Sequence, residues 1–203
     1  TPKTKLIMFS SPSNPTGMLY TKEELRAIAD VLVENPHVFV MADEIYEHIN
    51  FVGKHESLAQ FPEIKDRVIT INGVAKGYAM TGWRIGFIAA DAQIASACQK
   101  LQGQITSGTC SIAQRATIKA MESSPAIWKD IETMRGIFMK RRDMVYKLLQ
   151  EVPGFETRLP QGAFYFFPVV SSLYGKNVPA DSVYAEKFGK TTISNSTDLS
   201  MYL

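Results

Sequence analysis

Cysteine is scarce in this sequence, net charge is close to nil, and no apolar run is long. Only two cysteines occur, Cys98 and Cys110, on segments of helical pattern and without the paired spacing of a metal site. They are expected to be reduced, packed thiols rather than a disulfide, as in the cytosol. The formal net charge is +2 and the basic residues are spread out, so no electrostatic footprint for nucleic acid is present. No uninterrupted apolar stretch reaches the roughly 20 residues of a membrane-spanning helix. The opening Thr1-Pro2-Lys3-Thr4-Lys5 has neither the apolar core nor the cleavage site of a secretory signal, and no Met. Internal repeats and low-complexity tracts are also missing. What remains is a chain of 203 residues with an ordinary apolar fraction, the balance of a globular, cytoplasmic protein that engages neither membrane nor nucleic acid.

What is present is an alternation of apolar runs and amphipathic segments. Residues 5–9 read as a short strand that enters Ser10-Ser11-Pro12-Ser13-Asn14-Pro15-Thr16-Gly17, a turn stiffened by two prolines. Thr21 then caps a helix, with Glu24 completing a capping box and Leu25, Ile28, Ala29 and Leu32 forming one apolar face. Residues 38–42 are continuously apolar, as in a strand covered on both faces, and end in Asp43-Glu44-Ile45-Tyr46. Residues 57–60 predict one helical turn, and residues 68–71 and 84–90 two more strands. This alternation predicts an α/β fold, a mostly parallel sheet with flanking helices. Beyond Asp91, helices are expected over 92–101, 111–121, 127–149 and 182–188, with a strand pair at 155–158 and 163–167 around Pro160-Gln161-Gly162. Residues 1–126 are therefore expected to belong to a large domain. Residues 127–203 are expected to form a linking long helix and part of a smaller α+β C-terminal domain.

Three turns, each after a predicted parallel strand, carry candidate chemistry. Ligands of open parallel sheets bind outside the carboxyl ends of the strands, so these turns should converge. Lys76 lies in Gly73-Val74-Ala75-Lys76-Gly77, just past a strand end. A desolvated lysine loses its proton and attacks aldehydes. Eight residues on, Arg84 offers a planar fork of donors for a phosphate. An aldehyde and a phosphate are the two handles of pyridoxal 5'-phosphate. Asp43 would keep its ring nitrogen protonated, and Tyr46 and Asn14 would hydrogen-bond its ring hydroxyl oxygen. Each residue alone has an ordinary role: Asn14 as a turn former, Asp43 at a helix start, Tyr46 in packing, Lys76 and Arg84 in solvent. Five matching types at three strand ends favour the joint reading.

With those residues in view, the sequence resembles the class I/II aminotransferases of the fold-type-I pyridoxal phosphate superfamily. Ser11 to Gly17, Ala42-Asp43-Glu44-Ile45-Tyr46 and Gly73 to Gly86 match the best-known motifs, and the resemblance extends to Pro160-Gln161-Gly162-Ala163-Phe164-Tyr165. The nearest branch is that of bacterial-type aspartate aminotransferases, which includes prephenate-using members, suggested by Ala79-Met80-Thr81-Gly82-Trp83-Arg84. The resemblance implies that Lys76 bonds the cofactor and is catalytic, that Asp43 partners the pyridinium, and that Tyr46 and Asn14 hold the ring oxygen. It implies that Arg84 holds phosphate and that Asn14 also touches the substrate carboxylate. It further implies amino-acid and 2-oxo-acid substrates, with an aspartate-like donor favoured, and a cytosolic homodimer.

Two departures matter. Many relatives carry a phosphate-binding serine where this chain has Gly73. The family's first strands, its phosphate-cradling turn, its ring-stacking aromatic and its carboxylate-binding arginine have no counterpart here. The chain is therefore expected to be a central-to-C-terminal fragment, inactive alone, with a raw sheet edge and an uncovered core. Two other functions fit the same residues: a carbon–sulfur lyase using the same cofactor, and a non-catalytic domain that senses it.

Overall fold

The computed structural model describes residues 1–122 and 124–203. The chain forms two compact units: Thr1–Lys140 with Pro160–Tyr165, and Arg141–Leu159 with Phe166–Leu203.

The first unit is built on a four-stranded sheet in the order β1 (Leu6–Ser10), β2 (Phe39–Asp43), β3 (Val68–Gly73) and β4 (Gly86–Ala89). The first three strands run parallel, as the alternation with helix α1 (Lys22–Glu34) requires. The Thr21 capping box forms: its hydroxyl accepts from the Glu24 N–H at 3.2 Å, and Glu24 accepts from the Thr21 N–H at 2.8 Å. Leu25, Ala29 and Leu32 of α1 then pack on Val40, Ala42 and Val68, with Leu58, Phe61 and Ile64 closing the cluster. Removing each of these leucine side chains from water contributes about 1.5–3 kcal/mol.

Arg67 secures the carboxyl end of this helix. Its guanidinium donates to the carbonyls of Leu32 (2.8 Å), Asn35 (3.1 Å) and Val38 (2.8 Å). The last turn of α1 has no basic residue of its own, so Arg67 supplies the missing donors from the foot of β3.

The fourth strand runs antiparallel to β3, with Gly73 opposite Gly86 and Thr70 opposite Ala89. It begins at Gly86, not at Arg84, because Thr81–Trp83 form a single 3-10 turn and Arg84 adopts a left-handed conformation at φ 56°. The expectation that β2 is covered on both faces does not hold. Val40 and Ala42 are buried under α1, whereas Phe39 is 38% exposed and Met8, the neighbour of Met41 on β1, is 68% exposed.

Helix α2 (Ala92–Thr106) has no buried residue, and α3 (Ser111–Ala120) buries only Ala113 and Thr117. Cys98 and Cys110 are free, as expected, but exposed rather than packed. Helix α4 (Pro125–Gln150) lends Met134 and Phe138 to a cluster around Tyr46, Ile49 and Ala163.

In the second unit, α5 (Val183–Phe188) starts at Ser182, whose hydroxyl accepts from the Ala185 N–H, and stops at Gly189 in a left-handed conformation. Helix α6 (Ser196–Tyr202) is capped by Asn195. Tyr184, Ile193, Leu199 and Val178 form the core. The expected strand pair at 155–158 and 163–167 is absent. Glu156 and Val169 exchange one reciprocal pair of backbone bonds, while Pro160–Tyr165 belongs to the first unit. Among the described residues, no helix is long and apolar enough to cross a membrane.

Candidate active site

The register of the sheet brings three turns to one edge. Ser10 lies opposite Asp43, and Asp43 opposite Ile71, so the carboxyl ends of β1, β2 and β3 are level. Because β4 runs back antiparallel, its amino end at Gly86 returns to the same edge beside Gly73.

The turn after β1 is tied down from both sides. The Ser11 N–H donates to the Asp43 carbonyl (3.1 Å), and the Gly17 carbonyl accepts from the N–H groups of Gln161 (2.8 Å) and Gly162 (2.9 Å). Gly17 sits at φ 67°, where a Cβ would come within 2.6 Å of Pro160 Cβ, so glycine is required on two counts. Asn14 is exposed, and its backbone N–H reaches the Ser10 hydroxyl at 3.4 Å.

The turn after β2 begins with Asp43, whose Oδ1 accepts from the Ile45 N–H at 3.1 Å. Asp43 also lines a cavity of about 250 Å³ with Met8, Ser10, Met41 and Ile71. Glu44 extends the ladder by donating its N–H to the Ile71 carbonyl at 2.8 Å, while its side chain turns inward and is only 6% exposed. A buried carboxylate needs partners. Glu44 has two: the Ser57 hydroxyl donates to Oε1 at 2.6 Å, and His55 Nε2 lies 3.0 Å from Oε2. Glu47 completes a group whose ligand-type atoms lie within 4.8 Å of one another.

Tyr46 is buried at 3% exposure, and its hydroxyl lies 2.5 Å from that of Tyr165. Its ring meets Phe164 and Tyr165 edge-on, at centroid separations of 5.3 and 5.7 Å. Burial above all, then the bond to Tyr165 and the charges of Tyr165 and Asp43, push the Tyr46 phenol well above the ordinary range. Tyr46 therefore holds its proton at neutral pH and is able to donate it in a hydrogen bond.

The turn after β3 carries Lys76, half-buried, with its ammonium 5.9 Å from the Tyr46 ring centroid and 5.5 Å from that of Phe164. The turn closes tightly: the Met80 N–H donates to the Val74 carbonyl and the Ala79 N–H to the Lys76 carbonyl, each at 3.2 Å. At Gly77 a Cβ would meet the His48 ring at 2.5 Å. At Gly73 a Cβ would meet the Ile85 carbonyl oxygen at 2.7 Å, so a serine there would require the backbone to shift. Arg84 is exposed, donates to the Thr81 carbonyl at 2.9 Å, and lines a wider cavity of about 650 Å³ with Trp83, Gln102, Thr106 and Thr109.

Of the five residues singled out from sequence, the fold draws Lys76, Tyr46 and Asp43 together. Asn14 and Arg84 share their sheet edge, with side chains directed to solvent and to the Thr81 carbonyl respectively. In the sequence Tyr165 stands out only as part of the segment Pro160–Tyr165 that shares the family resemblance. Its pairing with Tyr46 has no local signal, because the two are 119 positions apart. The ordinary role of Asp43, at a helix start, does not apply, because no helix starts there.

Comparison with known proteins gives a consistent picture. The family described as aminotransferase class I and II matches residues 1–194. A probable aspartate/prephenate aminotransferase of Rhizobium leguminosarum bv. phaseoli is 44% identical over 186 residues, covering 90% of this chain and 46% of that protein. A bifunctional aspartate aminotransferase and glutamate/aspartate-prephenate aminotransferase of Petunia hybrida is 41% identical, covering 100% of this chain and 41% of that protein. Among solved structures, the aspartate aminotransferase of Rhizobium meliloti superposes with a TM-score of 0.84 at 36% identity, over 98% of this chain and 47% of that one. The chain spans about half the length of the relatives it matches.

Proposed function

The chain belongs to the class I and II aminotransferases, and from that premise we propose that it serves the transfer of an amino group between an L-amino acid and a 2-oxo acid, with pyridoxal 5'-phosphate as the carrier. The observation that carries this reading is the placement of Lys76 over the Tyr46 ring, one strand end away from Asp43. The donor set suits the cofactor: an amine for its aldehyde, a carboxylate for its ring nitrogen, and a protonated phenol for its ring oxygen. When bound, pyridoxal phosphate supplies an aldehyde that bonds to amines and a cationic ring that takes up the electron pair left at the substrate carbon.

Each residue then has a defined task. Lys76 Nζ would hold the cofactor covalently and, as a free amine, would carry the proton to and from the substrate carbon. Asp43 keeps the proton on the ring nitrogen. Tyr46, holding its own proton, donates to the ring oxygen, and Asn14 contributes there and to the substrate carboxylate. Arg84 holds the phosphate once its guanidinium leaves the Thr81 carbonyl. Gly73, with no room for a hydroxyl-bearing side chain, leaves that load on other donors. The names of the relatives favour an aspartate-like donor. A cytoplasmic homodimer, and a division into residues 1–126 of a cofactor-binding domain and 127–203 of a linking helix and smaller domain, belong to the same proposal.

The test is an absorbance spectrum of the native protein with pyridoxal phosphate, before and after borohydride, against Lys76→Ala. The expected result is a lysine-dependent band that borohydride fixes onto Lys76, and its conversion by aspartate. A cofactor bound equally well by Lys76→Ala, with no adduct at residue 76, would overturn the reading.

A further inference from the structure

The contact between Tyr46 and Tyr165 has work to do beyond packing. A phenol has one proton to give and lone pairs with which to accept. In a pair of phenols 2.5 Å apart, one donates and the other accepts. Tyr46 holds its proton, and without a ligand its described partner is Tyr165. Once that proton is given to a ligand oxygen, Tyr165 can stay in contact only by becoming the donor. The backbone around Tyr165 keeps it in place for that exchange. The Ala163 N–H donates to the Ile49 carbonyl at 2.8 Å, the Phe51 N–H to the Gln161 carbonyl at 2.8 Å, and Gly162 pairs with Asn50. Phe164, beside it, stacks on Phe138 at 5.4 Å.

We infer that Tyr165 is a positioning residue: it aims the Tyr46 hydroxyl and, by donating to it, strengthens the bond that Tyr46 makes to the ring oxygen of the cofactor. The inference rests on the proposed role of Tyr46. Chains of hydrogen bonds polarise one another, by about 10–30% per bond. A ring oxygen held more firmly as an anion lowers the pH at which the lysine-bound chromophore gives up its proton.

Tyr165→Phe keeps the ring and its stacking and deletes only the hydroxyl. In the loaded native protein it should raise the titration midpoint of the Lys76-dependent chromophore by about half a pH unit. Tyr46→Phe should raise it further, and the double variant should show no more than Tyr46→Phe alone. A midpoint unmoved by Tyr165→Phe, or a shift that persists in the Tyr46→Phe background, would sink the inference while leaving the cofactor reading intact. A wild-type protein with no such chromophore would sink both. A second readout needs no cofactor: carbon-13 NMR of labelled tyrosines. Tyr165→Phe should bring the Tyr46 titration down toward the ordinary phenol range without reaching it, because burial persists. An unchanged Tyr46 titration would equally overturn the pairing.

Discussion

Glu44→Ala should destabilise the first unit by about 3 kcal/mol. The side chain is 7% exposed, and both of its oxygens are occupied, one by Ser57 at 2.6 Å and one by His55 at 3.0 Å. A hydrogen bond to a charged group is worth about 1.5–3 kcal/mol, so two give roughly 3–6 kcal/mol. Relief of the carboxylate's own desolvation offsets part of that, which places the net loss near the lower end. The loss is deepened at His55, whose Nδ1 is already buried with no hydrogen-bond partner among the described residues. Both tryptophans, Trp83 and Trp128, lie in the first unit, so tryptophan fluorescence during urea unfolding reports on it. At a slope of about 1–3 kcal/mol per molar urea, the midpoint should fall by about 1–3 M. His55→Ala and Ser57→Ala should each cost less, and each should couple with Glu44→Ala in a double-mutant cycle by about 1 kcal/mol or more. A midpoint unmoved from wild type, or costs that simply add, would refute the view that Glu44 anchors the loop carrying His55 and Ser57.

Two further predictions concern stability. Arg67→Ala removes three carbonyl contacts at the end of α1 and should cost about 2 kcal/mol by chemical denaturation; Arg67→Lys should recover less than half of it, because a point charge cannot span three acceptors. In the second unit, the bond to Lys190 and the Ser194 N–H hold the Asp198 carboxyl below its ordinary range. Its contribution is therefore fully present above about pH 4, the unfolded value, and is lost as pH falls through the lower folded value. Protection of the Ser194 amide in hydrogen exchange should accordingly exceed that of Asp198→Asn at pH 6 and converge with it under strongly acid conditions. A difference that persists unchanged into acid would count against the linkage.

What the sequence made legible was local or statistical. The capping box at Thr21 and Glu24 is a four-residue pattern, and it formed as read. The apolar runs at 38–42 and 68–71 gave β2 and β3; the parallel pairing of β2 with β1 followed from the helix between them, whereas β3 joins β2 in parallel after a connection that holds only 3-10 turns. The direction of β4 was not legible, because it is decided by the left-handed Arg84 and the tight closure of Val74 on Met80. The segment around Pro160 misled for another reason. Its run of aromatics, Phe164 to Phe167, suits a strand, yet its backbone finds partners at Gly17, Ile49 and Asn50, more than a hundred positions away. Of the candidate site, Lys76, Tyr46 and Asp43 were readable because each lies at or just past a strand end. Tyr165 was not, because only the return of 160–165 to the first unit brings it to Tyr46.

That return sets a limit on genetic dissection. The chain passes between the two units at 140–141, at 159–160 and again at 165–166. No single truncation can release either unit whole. A gene ending at residue 140 would encode the sheet and every residue from Asn14 to Arg84, yet would strip partners from the Gly17 and Ile49 carbonyls and from the Tyr46 hydroxyl. A faithful excision must graft the hexapeptide Pro160–Tyr165 back through a designed linker, in the manner of a split protein rejoined by its missing peptide.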